Sequence, residues 1–191
     1  MDVRKLIEIL AVAEKLKNNT RHSWTSSGRQ ESIAEHSWRL SLMAYLVKDE
    51  FPDADINKVI RMCIFHDIGE AFTGDIPAFS KTDSDELDER QKLRQFLDSL
   101  PEPYREELSG LFEEIYTQET IESRIFRALD RMEAVIQHNE ADISTWLPLE
   151  YELNLVYGEK EVEFSEYMRR LKRAVNEDTL MKIKHVRESV P

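Results

Sequence analysis

The 191-residue sequence predicts an all-α fold, a bundle of six or seven main helices in a single domain. Three observations lead there. Five glycines and six prolines against 34% charged residues is a composition of helices rather than of strands and turns. Apolar residues recur at intervals of three and four in one segment after another. No stretch reads as a convincing strand. A chain of this length buries a core without disulfides, and one domain, residues 1–191, is expected. Its core is expected at about 30–147, with flanking helices at 2–18 and 160–190 packed on it.

Val3, Leu6, Ile7, Leu10, Val12, Ala13 and Leu16 make residues 2–18 an amphipathic helix, closed by Asn18-Asn19-Thr20. Residues 20–31 are polar with one glycine and read as a loop, in which Arg21, Trp24 and Arg29 stand out. Two guanidiniums and an indole can hold a planar or anionic ligand; the alternative is a Trp covering the core beside solvated arginines. A second helix runs to Phe51 from Ser32 or Ala34, with Ser32 and Glu35 spaced as a capping box. His36, Leu40, Met43 and Val47 share its inner face. Pro52-Asp53-Ala54-Asp55 separates a third helix, with Val59, Ile60, Cys63 and Ile64 inward, and His66 and Asp67 emerge from its end. Gly74 and Pro77 turn the chain away. Residues 82–99 form a helix whose acidic start complements the helix dipole. Another spans Tyr104 to Tyr116. Thr120 caps a long helix to about Trp146 whose stripe is Ile121, Ile125, Leu129, Met132 and Ile136, flanked by Asp130. A short segment to Tyr157 precedes a last helix from about Lys160, whose tail includes Ile183 and Val186.

The net charge of −12 repels a nucleic-acid polymer while leaving room for a small anionic substrate in a locally positive pocket. The single cysteine, Cys63, excludes an internal disulfide; in its apolar run it reads as a buried structural thiol. Residues 1–19 are not an apolar leader, and no apolar run approaches the ~20 residues that cross a bilayer. A cytoplasmic protein without a membrane partner is expected.

The chemistry gathers in Cys63–Pro77, where a histidine and acids sit among apolar residues at the end of a helix. Buried ionisable groups need partners. His36, His66, Asp67 and Asp130, from three helices, offer two imidazoles and two carboxylates. That mixed donor set suits one divalent metal ion (Co, Mn, Mg, Zn, Fe or Ni). Hydrogen-bonded core residues, and pairing of Asp130 with Arg127 or Arg131, are the structural alternatives.

Glu35-His36-Ser37, His66-Asp67-Ile68-Gly69-Glu70, Thr73-Gly74-Asp75-Ile76-Pro77 and Leu129-Asp130-Arg131 resemble the motifs of the HD-domain metal-dependent phosphohydrolases. Within them, they resemble the 5′-deoxynucleotidase subfamily of YfbR-like and HDDC2-like proteins, over roughly residues 1–180. The resemblance implies hydrolysis of deoxyribonucleoside 5′-monophosphates and, commonly, a homodimer. It implies metal ligation by His36, His66, Asp67 and Asp130. Glu70 matches the catalytic glutamate, Asp75 a residue near the sugar, and Arg21 the phosphate arginine. Lys81 matches a basic residue after the Gly-Asp-x-Pro turn. The sequence departs at His22, where the well-known bacterial members carry an aromatic directly after the arginine; Trp24 stands two positions further on. Another nucleotide phosphoester, such as a cyclic nucleotide or a nucleoside triphosphate, is the alternative within enzymes. A non-catalytic metal- and nucleotide-binding module is the alternative outside them.

Overall fold

The computed structural model describes residues 1–77 and 79–189, with side chains through His185. Among them are nine α-helices and one two-stranded antiparallel sheet. Helix α7 (Ile121–Glu140) is the axis of the core, with Ile125, Phe126, Leu129 and Met132 at or near zero exposure. Thr120 starts it, its hydroxyl accepting from the Ser123 N–H at 3.3 Å. Helices α2 (Ile33–Leu46), α3 (Ile56–Phe65) and α9 (Glu166–Ser189) pack against α7, as does strand β1 (Thr20–Trp24). Ile33 and Leu40 of α2 meet Val59, Met62 and Cys63 of α3 in the same core. Burying each such large apolar side chain contributes about 1.5–3 kcal/mol. Burial also pushes the Cys63 thiol pKa up, as befits a structural cysteine.

The expected capping box is present: Ser32 Oγ accepts from the Glu35 N–H, and the Glu35 carboxylate accepts from the Ser32 N–H. This fixes the first turn of α2 and carries His36 inward. Helices α5 (Asp83–Asp98) and α6 (Tyr104–Thr117) lie close to their expected bounds, whereas α1 (Val3–Glu14) stops short of residue 18 and continues only as a 3₁₀ turn at Lys15–Lys17. The α1 stripe is only partly used. Ile9, Val12 and Ala13 pack on the core while Val3, Leu6, Ile7 and Leu10 stay exposed. The Val186 side chain lies outside the described residues.

Residues 20–31 are not simply a loop. β1 (Thr20–Trp24) pairs antiparallel with β2 (Gln30–Ser32), Thr20 opposite Ser32 and Trp24 opposite Gln30, with the register shifting between. Gly28, at φ +85°, supports the turn, and Thr25 N–H donates to the Arg29 carbonyl at 2.8 Å. Contact with α7 completes the hairpin: Ser23 is buried, and the Gln137 amide donates to the Trp24 carbonyl at 2.6 Å. Packing thus imposes strand on a polar stretch whose composition hides it.

Three helix ends also differ from expectation. Helix α2 stops at Leu46, continuing only as a 3₁₀ turn at Lys48–Glu50. Helix α7 stops at Glu140, because Ala141 is extended and the Asp142 side chain caps a new turn by accepting from Ser144 N–H at 2.9 Å. The short segment that follows is helix α8 (Glu150–Val156), and α9 begins only at Glu166. Between them Gly158, at φ +80°, runs so close to α7 that a Cβ there would stand 2.6 Å from Met132 Cε and 2.7 Å from Arg131 Cβ. Among the described residues, no helix is long and apolar enough to cross a membrane.

Candidate metal centre and cavity

Helix α3 ends at Phe65, and the chain tightens before α4 (Glu70–Thr73). Ile68, Glu70, Ala71 and Phe72 N–H groups each donate three residues back, to Phe65, Asp67, Ile68 and Gly69. This 3₁₀-like winding carries the chain from the end of α3 into α4. It directs His66 and Asp67 toward His36 of α2 and Asp130 of α7.

The four side chains meet. His66 Nε2 is 2.9 Å from Asp67 Oδ2 and 3.8 Å from Asp130 Oδ1. His36 Nε2 is 3.3 Å from Asp130 Oδ1 and 4.0 Å from Asp67 Oδ2. Ligand atoms of His36, His66 and Asp67 all lie within 4.8 Å of one another. Donors at ~2.1 Å from a shared ion stand roughly 3–4 Å apart, so these separations fit one ion.

The tautomers fit as well. His66 Nδ1 lies 2.9 Å from the Cys63 carbonyl, and His36 Nδ1 contacts the Glu133 carboxylate. Both partners are acceptors, so each Nδ1 carries a proton and each Nε2 is the ring atom left to face inward as a ligand. Neither Nε2 has a hydrogen-bond partner. Burial alone would raise both carboxyl pKa values, yet the neighbouring histidines hold Asp67 below and Asp130 well below the usual range. With no ion, burial and Arg21 oppose a charge on His36, but Glu133 and Asp130 prevail and lift its pKa to about 9. Two imidazoles and two carboxylates converging on one point form a donor set that fits a divalent metal.

Behind this cluster lies a layer the sequence reading missed. Glu133, fully buried, contacts His36 and accepts from Arg39 Nε at 2.6 Å. Arg21 Nη1 stands 3.5 Å from Glu133 and 3.5 Å from Glu31. Glu31, His36 and Glu133 also lie close enough to ligate an ion. There, however, the guanidiniums of Arg21 and Arg39 already supply the positive charge. Burial and the nearby Glu133 push Glu31 up to about 7. Glu133 was discoverable: it sits one turn after Asp130 on the buried stripe of α7. Glu31 precedes the helix cap and carries no such signal.

A cavity of about 450 Å³ opens at the four-residue cluster. Arg21, Glu70, Asp75 and Lys81 line it. Arg21 comes from β1, and nearby carboxylates, Glu133 foremost, keep its charge secure against burial. Glu70 Oε2 is buried and unpartnered; burial, Asp67, Asp75 and Glu89 push its pKa up to about 10. Asp75 accepts from the His22 N–H at 3.2 Å, and Lys81 is paired with Glu89. Trp24 is not among the cavity-lining residues: it packs edge-on to His22, ring centroids 5.1 Å apart, and His22 lines the cavity instead. Arg127, Arg131 and Tyr157 add a wall the sequence reading did not assign. Asp130 lies 3.7 Å from Arg127 and 4.0 Å from Arg131, so its arginine pairing coexists with its approach to the histidines.

Residues 13–172 match the HD domain family. The 5′-deoxynucleotidase HDDC2 of Homo sapiens is 31% identical over 141 residues, 72% of this chain and 68% of that protein. The 5′-deoxynucleotidase YBR242W of Saccharomyces cerevisiae is 27% identical over 140 residues, 69% of this chain and 58% of that one. A solved structure described as a predicted metal-dependent phosphohydrolase, from Magnetospirillum magnetotacticum MS-1, aligns with a TM-score of 0.79. It is 28% identical and covers 93% of this chain and 92% of its own. With the family matched across most of its length and two histidines and two aspartates converging at its centre, this chain belongs to the HD-domain family.

Proposed function

We propose that this protein is a metal-dependent 5′-deoxynucleotidase, releasing phosphate from deoxyribonucleoside 5′-monophosphates. The observation that carries the reading is the pair of inward-facing histidine Nε2 atoms, free of hydrogen bonds, beside two aspartates where His66, Asp67 and Asp130 line a cavity. The relatives named 5′-deoxynucleotidase support the substrate class. His36, His66, Asp67 and Asp130 hold one divalent ion, which when bound polarises a phosphoryl oxygen as a Lewis acid. Arg21 binds the phosphate; it is a buried guanidinium that lines the cavity, and its Nη1, ion-paired at 3.5 Å with Glu31 and Glu133, makes no hydrogen bond. Glu70 moves the proton: its buried Oε2 gives a proton to the leaving 5′-oxygen or takes one from the attacking water. Asp75 accepts a hydrogen bond from the sugar. Lys81, held by Glu89, lines the cavity as a further ammonium that a phosphate can approach, and Trp24 acts only by supporting His22.

The deciding assay measures free phosphate from purified protein with a panel of nucleotides, several divalent metals and a chelator. Turnover is expected on deoxynucleoside monophosphates, lost with chelator and restored by metal. No phosphate from any of them sinks the reading. Arg21→Ala should raise KM by at least about tenfold, as removal of a charge-assisted phosphate contact does; unchanged KM and kcat would dismiss its phosphate role.

The same reading makes the chain one HD domain working as a cytoplasmic homodimer. Trp38, Leu42, Tyr45 and Leu46 of α2 offer exposed apolar surface for such a contact. Sedimentation of the full chain as a monomer at micromolar concentration would count against the dimer.

A further inference from the structure

The cavity has a second polar end, away from the four-residue cluster, where β1, α7 and α8 meet. His22, His138, Glu150 and Asn154 line it. Glu150 is 1% exposed and Asn154 3%. One Glu150 oxygen is occupied, since Oε2 accepts from the Leu147 N–H at 2.6 Å. The other, Oε1, faces His22 Nε2 at 3.3 Å and His138 Nδ1 at 3.8 Å. Neither nitrogen makes a hydrogen bond, and neither does Asn154 Nδ2. Three buried polar atoms without partners in one corner are costly unless a ligand or water fills it.

The chemistry of the missing partner can be read from His138. Its Nε2 lies 3.3 Å from the His22 carbonyl, which only accepts, so Nε2 carries a proton. Burial pushes the His138 pKa down despite the nearby Glu150, so the ring is neutral near pH 7. Nδ1 is then a lone pair, and it faces Glu150 Oε1, a second acceptor. Only a donor placed between them satisfies both. The Asn154 amide adds a donor beside them. A hydroxyl shares its one hydrogen between the two acceptors and accepts from the Asn154 amide, whereas an amino group donates a separate hydrogen to each acceptor.

Position narrows the source. His138 lies eight residues beyond Asp130 on α7, two turns or about 12 Å along the helix. The phosphate end of a substrate at the metal cluster does not reach it, but the nucleoside end does. His22 links the two ends: its N–H donates to Asp75, the residue assigned to the sugar, while its ring faces Glu150.

We propose that His138, Glu150 and Asn154, with His22, form a subsite for a neutral hydrogen-bond donor on the nucleoside half of the substrate. A sugar hydroxyl is the first source of that chemistry and a base amino group the second. The inference rests on the phosphohydrolase reading and deepens it. These residues position the nucleoside and take no part in proton transfer.

The test measures phosphate release by the metal-loaded full chain from dCMP, from 2′,3′-dideoxycytidine 5′-monophosphate, and from dUMP. The first comparison removes the sugar hydroxyl; the second replaces the base amino group. Wild type should lose at least about tenfold in kcat/KM, mainly through KM, on the substrate lacking the recognised group, because the subsite is then left unpaired. His138→Leu and Glu150→Gln should shrink that difference to within about threefold, with melting curves verifying that both fold. Asn154→Ala serves if either does not. A loss on the dideoxy substrate assigns the hydroxyl, and a loss on dUMP assigns the amino group. Wild type treating all three alike, or folded variants retaining the full difference, overturns the subsite. Failure of wild type to release phosphate from dCMP itself overturns the phosphohydrolase reading and the subsite with it.

Discussion

Asp67→Ala should yield a folded protein that no longer retains a stoichiometric metal ion. Asp67 Oδ2 is the oxygen nearest His66 Nε2, at 2.9 Å, and it also stands 4.0 Å from His36 Nε2. Removing it leaves two imidazoles and one carboxylate, and a hard divalent ion loses a charged oxygen donor. Loss of a partner one step outside a metal site typically lowers affinity by about 10–100-fold, so loss of a direct donor should exceed that. The measurement is metal content after dialysis, paired with thermal melting. An ion that binds only the native state stabilises it in proportion to the logarithm of [ion]/Kd. Added metal should therefore raise the wild-type Tm and leave the Asp67→Ala Tm nearly unchanged. Full occupancy in the variant, or an equal metal-induced Tm rise, would count against the ligand set.

Glu133 makes the same point through its partner. It is fully buried, contacts His36 Nδ1, and accepts from Arg39 while Arg21 stands 3.5 Å away. That carboxylate orients a histidine of the metal cluster and the arginine assigned to phosphate at once. Two cavity features, the metal-ligand cluster and the anion-binding arginine, thus share one buried support.

How much of this the sequence disclosed follows from which forces decide each part. The helices were legible because apolar stripes on α3, α5, α6 and α7 are driven by burial, which leaves a periodic trace. His36, His66, Asp67 and Asp130 were legible as candidates because ionisable groups on those stripes stand out. The hairpin at Thr20–Ser32 was not legible: its strands are polar, and its support comes from α7, more than a hundred residues away. The end of α7 was misplaced because Ala141 and Asp142 break the helix through extended backbone and a side-chain cap, without a glycine or proline to mark it. Trp24 was given the place that His22 occupies, because a strand was read as a loop and its side-chain directions were therefore undetermined. The subsite of His138, Glu150 and Asn154 joins α7 to α8 across a break, and no local spacing connects those residues.

Glu70→Gln should abolish turnover while leaving metal content intact, and it should stabilise the metal-free protein. The first effect follows from geometry: Glu70 lines the cavity with a buried, unpartnered Oε2, and glutamine keeps the shape but cannot exchange a proton. Loss of a general acid or base costs about 10²–10⁴-fold, read as kcat. Near-wild-type kcat would remove Glu70 from the proton-transfer role. The second effect follows from linkage. Burial first, then Asp67, Asp75 and Glu89, raise the folded-state pKa of Glu70 to about 10 from an ordinary 4.5. The folded metal-free protein therefore keeps a proton that the unfolded chain releases above about pH 4.5. The stability contribution of this group is complete below that value and declines steadily as pH rises toward about 10. Glutamine removes the decline. The Tm advantage of metal-free Glu70→Gln over wild type should be near zero at pH 4.5 and should grow to several degrees by pH 8. A bound cation favours the ionised carboxylate and pulls its pKa down, so the same comparison in metal-loaded protein should show a shallower trend. A Tm difference that is independent of pH in the metal-free protein would mean that Glu70 is not the buried, proton-holding carboxyl on which its assignment depends.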